Sequence, residues 1–282
     1  MRIDSHQHYW KPARGDYHWM SPAMQVLYRD YLPKDLRPSL EKHKIAKTIL
    51  VQAAQTVAET DFLLELAAAE DSIAGVVGWL DMEDPGFARQ FEHYRANAKF
   101  VGLRPMLHDL ADDGWVLRPQ VLDALKIVAD TGCAFDFLTF PRHLPFVLQA
   151  LDAVPGLRAV IDHISKPEIR GKKFEPWKTL IAEAAGYPNL YCKLSGMVTE
   201  ADHERWSIDD LRPYIEHVVE CFGLDRVMFG SDWPVCLLAG SYDRVIGALE
   251  EILSTRLDRD TERRVFGENA ARFYKLAMGA KG

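Results

Sequence analysis

The chain alternates short apolar runs with stretches of helical spacing, and this order constrains its fold more than any other feature. Eight runs have the length and the flanking turn residues of buried strands, and helical patterns separate most of them. Such alternation predicts βα units in a parallel sheet, and eight units are the number that closes a barrel. We therefore expect an α/β fold, a (β/α)8 TIM barrel. The predicted strands cover residues 1–8, 48–53, 73–80, 100–106, 133–140, 158–163, 190–194 and 226–231.

The length of the chain fits one such barrel. Barrels of this kind reach about 250 residues or more as one unit, and the chain has 282 residues, of which 48% are hydrophobic. We expect a single domain over residues 1–282, with a large buried core.

Several helix boundaries carry their own signals. Apolar stripes that end at glycine predict helices before Gly132 and before Gly223, and Ser207 and Ser241 are the expected N-caps of the last two barrel helices. Residues 260–276 have apolar side chains at helical spacing. They predict a closing C-terminal helix.

Charge and cysteine content exclude some classes of protein. Lys and Arg number 34 against 41 for Asp and Glu, which gives a net charge of −7, and no basic run resembles a phosphate-binding stripe. We expect no nucleic-acid partner. No apolar segment has the length of a membrane span or the form of a signal peptide. The four cysteines form no C-x-x-C pair, which favours a reducing cytoplasm. They are Cys133, Cys192, Cys221 and Cys236.

The connection after the first strand is unusually long. Residues 9–40 show no clear period but hold six Trp or Tyr residues and four prolines. Loops of this length in a compact domain usually serve function, and a loop after a barrel strand lies at the C-terminal face, where active sites of this fold are built. We expect a lid or substrate wall. The alternative is an aromatic plug over the end of the barrel.

The first and eighth predicted strands end in residues that suit hydrolytic chemistry. His6 and His8 are two residues apart, so strand alternation places both side chains on one face, toward the barrel mouth. Two imidazoles so placed can share a metal ion. Asp232 follows the eighth strand, where a carboxylate kept ionised by neighbouring cations can accept a proton from water. The alternative for Asp232 is a turn-forming role before Pro234.

A third histidine, His163, ends the sixth strand and can polarise a carbonyl group or bind metal. Two cations occupy comparable positions, since Arg104 ends the fourth strand and Lys193 lies in the seventh. Either can bind an oxyanion or sugar hydroxyls, or form a buried ion pair with Asp4 or Asp232. Further candidates for substrate contact are Trp10, Tyr28, Gln55, Trp79 and His108, and Gln52 and Asp136 are also expected near the mouth.

Several motifs, taken together and in this order, resemble the amidohydrolase superfamily, and within it the branch of sugar-lactone hydrolases. No motif is specific alone, but together they span nearly the whole chain. They are D-S-H-Q-H at residues 4–8, W-M-S-P at 19–22, G-W-L-D at 78–81, G-L-R-P at 102–105, D-H-I-S-K-P at 162–167, K-L-S-G at 193–196, F-G-S-D-W-P at 229–234 and G-E-N-A at 267–270.

The resemblance implies a barrel of the amidohydrolase type that hydrolyses a sugar-acid lactone with His6, His8, His163 and Asp232. Metal-dependent members usually add a fifth-strand histidine and often a fourth-strand lysine, but those strands read A-F-D-F-L and V-G-L-R-P here. A binuclear centre is therefore not expected. One zinc or other divalent ion on His6, His8 and Asp232, or no metal at all, both remain open.

The resemblance also leaves alternatives to sugar-lactone hydrolysis. Some members of the superfamily decarboxylate aromatic or muconate-type acids, and others act on non-sugar lactones. A barrel without catalytic activity is a third hypothesis. The sequence does not fix the oligomeric state, and a homodimer is one of the options.

Overall fold

All eight predicted strands are present in the computed structural model, which describes residues 1–256 and 258–277. The strands are parallel and pair in chain order. Backbone hydrogen bonds join the first strand to the residues after the eighth: the amide of His8 donates to the carbonyl oxygen of Trp233 (2.7 Å), and that of Asp232 to the carbonyl oxygen of His6 (2.8 Å). The predicted (β/α)8 barrel is therefore confirmed. Its strands are β1 Arg2–Gln7, β2 Ile45–Val51, β3 Ile73–Gly78, β4 Phe100–Leu103, β5 Ala134–Phe137, β6 Arg158–Ile161, β7 Leu190–Leu194 and β8 Val227–Phe229.

Helices connect the strands, and two more follow the last barrel helix. Helices α10 and α11 are joined by a π-helical turn over Arg264–Glu268, so the predicted C-terminal helix is confirmed. Gly267 in this turn lies so close to the carbonyl oxygen of Met1 that a Cβ atom would clash with it. The α-helices are α1 Pro33–Lys42, α2 Val57–Ala69, α3 Phe87–Arg95, α4 Pro119–Thr131, α5 Leu144–Ala153, α6 Trp177–Ala185, α7 Met197–Glu200, α8 Ile208–Phe222, α9 Tyr242–Leu253, α10 Arg259–Arg263 and α11 Asn269–Phe273.

Most predicted strands run past the observed C-terminal ends by one to three residues. The seventh strand, residues 190–194, is the exception and agrees at both ends. The second strand also begins earlier than predicted, at Ile45 rather than Thr48.

Apolar side chains form two cores. One fills the inside of the barrel and continues into α11, where Ala270 and Phe273 cover the end at which the strands begin. The other lies between the strands and the surrounding helices. Burial of both strand faces explains why most strands read as largely apolar runs in the sequence, although β1 is mainly polar.

The expected helix signals are largely present. Gly132 ends α4 with a φ of 62°, the left-handed conformation that glycine adopts without strain. The hydroxyl of Ser241 accepts the amide of Arg244 at the start of α9. Ser207 stands at the N-cap of α8, but its hydroxyl donates to the carboxylate of Asp210 instead of accepting an amide.

The prediction that residues 9–40 have no regular structure is wrong at their C-terminal end. Helix α1 begins at Pro33, a residue whose ring favours the first helical position, and buries Leu36 and Leu40 one turn apart. The remaining residues 9–32 are called the β1–α1 segment below. Within it, Trp10 and Tyr31 pair through both backbone amides, and their side chains are buried.

All four cysteines lie in the described residues, and none forms a disulfide. In the same residues, the helices are too short or too polar to cross a bilayer.

Candidate active site

A cavity of about 270 Å³ opens at the end of the barrel where the strands terminate. Parallel barrels place ligands at this end because the βα loops meet there. One part of its wall is apolar and aromatic, and another carries charged and imidazole groups. The lining residues are His8, Trp10, Trp19, Met24, Ala53, Arg104, Met106, His108, Asp109, Leu138, His163, Lys166, Asp232 and Val235.

Three histidines and one aspartate meet at this cavity. Nε2 of His8 lies 3.2 Å from Nε2 of His6 and 3.3 Å from Oδ1 of Asp232. Oδ1 of Asp232 is also 3.8 Å from Nε2 of both His6 and His163. The structure therefore brings together the four residues that the sequence singled out as catalytic.

Backbone geometry directs Asp232 into this cluster. Its amide is bound to the carbonyl oxygen of His6, and its φ of 57° is left-handed, a strained conformation for a residue with a side chain. Closure of the barrel between β8 and β1 thus sets the distance between the carboxylate and the two imidazoles.

His163 begins a left-handed turn of four consecutive non-glycine residues. The φ angles from His163 to Lys166 lie between 48° and 61°, and each such residue costs about 1–2 kcal/mol relative to the right-handed form. Buried hydrogen bonds hold the turn: the indole of Trp177 donates to the carbonyl oxygen of Ile164 (2.6 Å), and the hydroxyl of Ser165 lies 2.9 Å from that of Thr139.

The other ring nitrogen of His163 also has a buried partner. Its Nδ1 lies 2.9 Å from the hydroxyl of Ser195, just after β7. The adjacent Gly196 has a φ of 65°, and a Cβ atom there would lie 2.5 Å from Nδ1 of His163. The K-L-S-G motif therefore leaves room for this imidazole.

Beneath the histidines lies a buried network of two cations and two carboxylates. Lys193 lies 2.9 Å from Oδ1 of Asp162 and donates to Oδ2 of Asp136 at 2.5 Å. Arg104 donates to Oδ2 of Asp162 at 3.3 Å. The alternative of a buried ion pair with Asp4 or Asp232 is therefore wrong, because Asp136 and Asp162 supply the carboxylates beside these cations.

Asp4 has a different environment. One oxygen accepts the amides of His6 (3.1 Å) and Ser231 (2.9 Å), and the other accepts the hydroxyl of Tyr242 at 3.1 Å. Asp4 thus joins the ends of β1 and β8 close to His6. Burial raises the pKa of its carboxyl to about 6.

Burial and neighbouring charges set the protonation states of the cluster. Burial lowers the pKa of His163 well below its ordinary value, so this imidazole is neutral at neutral pH. Burial alone would raise the pKa of Asp232, but the nearby imidazoles of His163 and His8 outweigh it and keep that pKa below the usual value. Asp162 is likewise held anionic, because Lys193 and His6 lower its pKa by more than burial raises it. The cavity therefore presents an anionic carboxylate among imidazoles.

His6, His8 and Asp232 also fit a divalent metal ion. Nδ1 of His8 lies 2.7 Å from the carbonyl oxygen of Val51, so it carries the proton and leaves a lone pair on Nε2. The donor atoms of the three residues are 3.2, 3.3 and 3.8 Å apart, and ligand atoms of a tetrahedral zinc site are roughly 3.3 Å apart. A second group, His6, Asp162 and His163, fits less well because Asp162 already binds two cations.

The other predicted substrate contacts divide into two sets. Trp10, Arg104 and His108 line the cavity. Lys193 is buried under His6, with Nζ 3.1 Å from its Nδ1, where the cavity does not reach. The structure also leaves three residues out of the cavity lining: Tyr28 and Gln55, and Trp79, whose backbone is bound by the hydroxyl of Thr60.

Sequence reasoning did not single out several residues of the site. Asp162 and Lys166 belong to the D-H-I-S-K-P motif, which was the signal that could have found them. Trp19 lies in the connection over residues 9–40 that was expected to form a lid or substrate wall, and it lines the cavity. Asp109, next to His108, had no such signal. Gln52 is buried and donates to the carbonyl oxygen of Arg104 (2.6 Å), so it supports the cation instead of facing the cavity.

An eight-stranded parallel barrel with two histidines at the end of its first strand and an aspartate after its last defines the class of amidohydrolase-type barrels. The chain belongs to the family described as Amidohydrolase, which matches residues 3–276.

Similar proteins cover nearly the whole chain. The L-fucono-1,5-lactonase of Burkholderia ambifaria is 39% identical over 98% of this chain and 96% of its own length. The L-fucono-1,5-lactonase of Burkholderia multivorans has the same identity and coverage. A crystal structure of an amidohydrolase from Burkholderia multivorans with bound zinc is 37% identical and has a TM-score of 0.94, over 98% of this chain and all of that one.

Proposed function

We propose that this chain is a lactonase that opens a sugar-acid lactone, of the L-fucono-1,5-lactone type, to the free aldonate. The substrate class rests on the 39% identity to lactonases of that name across nearly the full length of both chains. The reaction type rests on one geometric observation: an anionic Asp232 lies within 3.8 Å of three imidazole nitrogens at a cavity of suitable position.

Asp232 is the proposed proton acceptor. Its carboxylate takes a proton from water as the water oxygen adds to the ring carbonyl carbon, and a tetrahedral oxyanion forms. The C–O bond to the ring oxygen then breaks, and Asp232 returns the proton to the departing alkoxide. The depressed pKa of the Asp232 carboxyl keeps it ionised for the first step.

The imidazoles are the proposed stabilisers of the oxyanion. His163 is neutral, so it offers an N–H group to the developing charge if its proton is on Nε2, and the Ser195 hydroxyl then donates to Nδ1. Nδ1 of His8 is held by Val51, which fixes the orientation of that ring. A divalent ion bound by His6, His8 and Asp232 would supply Lewis-acid polarisation of the carbonyl group.

The cavity wall suits a sugar ring. Trp19 offers a flat apolar surface for one face of the ring, and the buried Trp10 packs against Trp19 with ring centroids 5.6 Å apart. Arg104 and His108 offer donors for hydroxyl groups, and burial with nearby cations lowers the pKa of His108 to about 3, which keeps its ring neutral. Lys193 is proposed to act on the substrate only through His6. The proposed setting is the cytoplasm, in keeping with four free thiols.

A panel of aldonolactones tests this proposal. Purified protein is mixed with L-fucono, L-galactono, L-rhamnono and D-arabinono lactones in weak buffer with a pH indicator, and proton release is compared with spontaneous hydrolysis. Rates well above that background on at least one sugar lactone are expected. A flat panel contradicts the proposal, and carbon dioxide release from aromatic acids would then favour the decarboxylase alternative.

A further inference from the structure

Glu59 is a buried carboxylate that the proposed chemistry does not use. It lies in the first turn of α2, and its side chain is fully buried. Its two oxygens have separate partners: Oε2 accepts the hydroxyl of Tyr17 at 2.7 Å, and Oε1 accepts the amide of Ala53 at 3.2 Å. Burial raises the pKa of this carboxyl to about 7. A buried acid of this kind is costly, so its partners indicate what it maintains.

Both partners belong to the wall of the cavity or are next to it. Ala53 follows β2 and lines the cavity. Tyr17 lies in the β1–α1 segment, two residues before Trp19, which also lines the cavity. The indole of Trp19 donates to the carbonyl oxygen of Ala53 at 2.7 Å. Glu59 therefore binds both chain segments whose contact forms this part of the cavity wall, through Tyr17 in one and Ala53 in the other.

Other polar contacts join the same two segments. Arg14 donates to Asp16 (2.8 Å) and to the carbonyl oxygen of Ala58 (2.9 Å), and its Nε lies 3.9 Å from Oε2 of Glu59. The hydroxyl of Thr56 donates to Asp16 at 3.2 Å. Glu59 is the buried member of this group, because the Arg14 and Asp16 side chains are both partly exposed.

We propose that Glu59 is a positioning residue for substrate binding, which fastens the β1–α1 segment to α2 and so holds Trp19 against Ala53 in the cavity wall. It touches neither the reacting atoms nor the cluster of His6, His8, His163 and Asp232. Its loss therefore weakens binding of the sugar ring and leaves the chemical step nearly intact. This inference rests on the proposed function for its kinetic readout.

Two variants and a matched control test it. Tyr17→Phe and Glu59→Gln each remove or weaken the buried hydrogen bond, and we expect KM for the lactone to rise roughly tenfold in each, with kcat within about twofold. The double variant should be no worse than the more affected single one, because both act on one contact. Tyr94→Phe is the control. The Tyr94 hydroxyl donates to Asp61 (2.7 Å), which lies on α2 as Glu59 does, and this contact is away from the cavity. Its KM should not change.

Hydrogen exchange of residues 9–32 supplies a readout that needs no substrate. We expect faster exchange there in Tyr17→Phe and Glu59→Gln than in Tyr94→Phe or the unmodified protein. If a folded Tyr17→Phe protein shows both unchanged exchange in residues 9–32 and an unchanged KM, the inference is wrong. This outcome is decisive even if Glu59→Gln fails to fold. If the unmodified protein hydrolyses no lactone, the proposed function fails, and the exchange comparison still decides whether Glu59 fastens the segment.

Discussion

The indole nitrogen of Trp177 donates a 2.6 Å hydrogen bond to the carbonyl oxygen of Ile164, so helix α6 holds the left-handed turn that begins at His163. Four strained residues in sequence persist only where surrounding contacts fix them. This contact therefore supports the position of the imidazole next to Asp232.

Trp177→Phe keeps most of the ring volume but removes the donor. We expect kcat on the lactone to fall about tenfold, with a loss of about 1–2 kcal/mol in the free energy of unfolding, because a buried carbonyl oxygen loses its partner. Steady-state kinetics and urea unfolding measure both. Trp115→Phe is a suitable control, since that indole donates to Glu83 and neither residue lines the cavity, and its kcat should stay the same. An unchanged kcat in Trp177→Phe would show that the turn holds without α6.

The metal site makes a separate prediction. We expect the protein to bind one equivalent of zinc, and His8→Ala to weaken that binding at least about 100-fold because one of three ligands is lost. Titration calorimetry with a competing chelator gives the affinity. His203→Ala, at an exposed histidine, should bind zinc like the unmodified protein. Equal affinity in His8→Ala would place zinc elsewhere.

The buried ion pairs under His6 should contribute more to the free energy of unfolding than an exposed ion pair does. Lys193→Met leaves Asp136 and Asp162 without their shared ammonium group, and breaking a buried pair in this way costs about 3–5 kcal/mol. Chemical denaturation measures the change. Lys126→Met, which removes an exposed ion pair with Asp123, should cost less than about 1 kcal/mol. Similar losses in the two variants would contradict the assigned network.

The raised pKa of Glu59 predicts the direction in which the free energy of unfolding changes with pH. Its pKa is about 7 in the folded state and near 4.5 when unfolded, so between these values the folded state binds the proton more tightly. Its contribution to the free energy of unfolding is present below about pH 4.5 and is lost as the pH rises through 7. Glu59→Gln should therefore lose less stability than the unmodified protein between pH 5 and 8. Parallel stability curves for the two proteins would argue against the raised pKa.

The sequence predicted the fold and the centre of the site well because both depend on local patterns. Eight apolar runs specify eight strands, and alternation along β1 places His6 and His8 on one face. Closure of the barrel then places Asp232 next to these histidines, because β8 must pair with β1. His163 follows the same rule, because every strand ends at the same face of the barrel.

What could not be predicted depends on contacts between distant residues. The partners of Arg104 and Lys193 follow from strand register and from which side chains face inward, and neither is visible in a linear pattern. The left-handed turn at His163 contains no glycine, so the sequence has no residue there that would predict this backbone conformation. Helix α1 was missed because prolines at Pro33 and Pro38 obscured the short Leu36 and Leu40 spacing. Glu59 reads as an ordinary residue near a helix start until its burial is known.

Turnover of L-fucono-1,5-lactone by Asp232→Asn, compared with the unmodified protein, tests the central claim most directly. Asparagine keeps the shape of the side chain but cannot accept a proton from water, so kcat should fall by about 10² to 10⁴, with circular dichroism and unfolding midpoint near those of the unmodified protein. Hydrolysis by a folded Asp232→Asn protein at a rate within a few fold of the original would contradict the account.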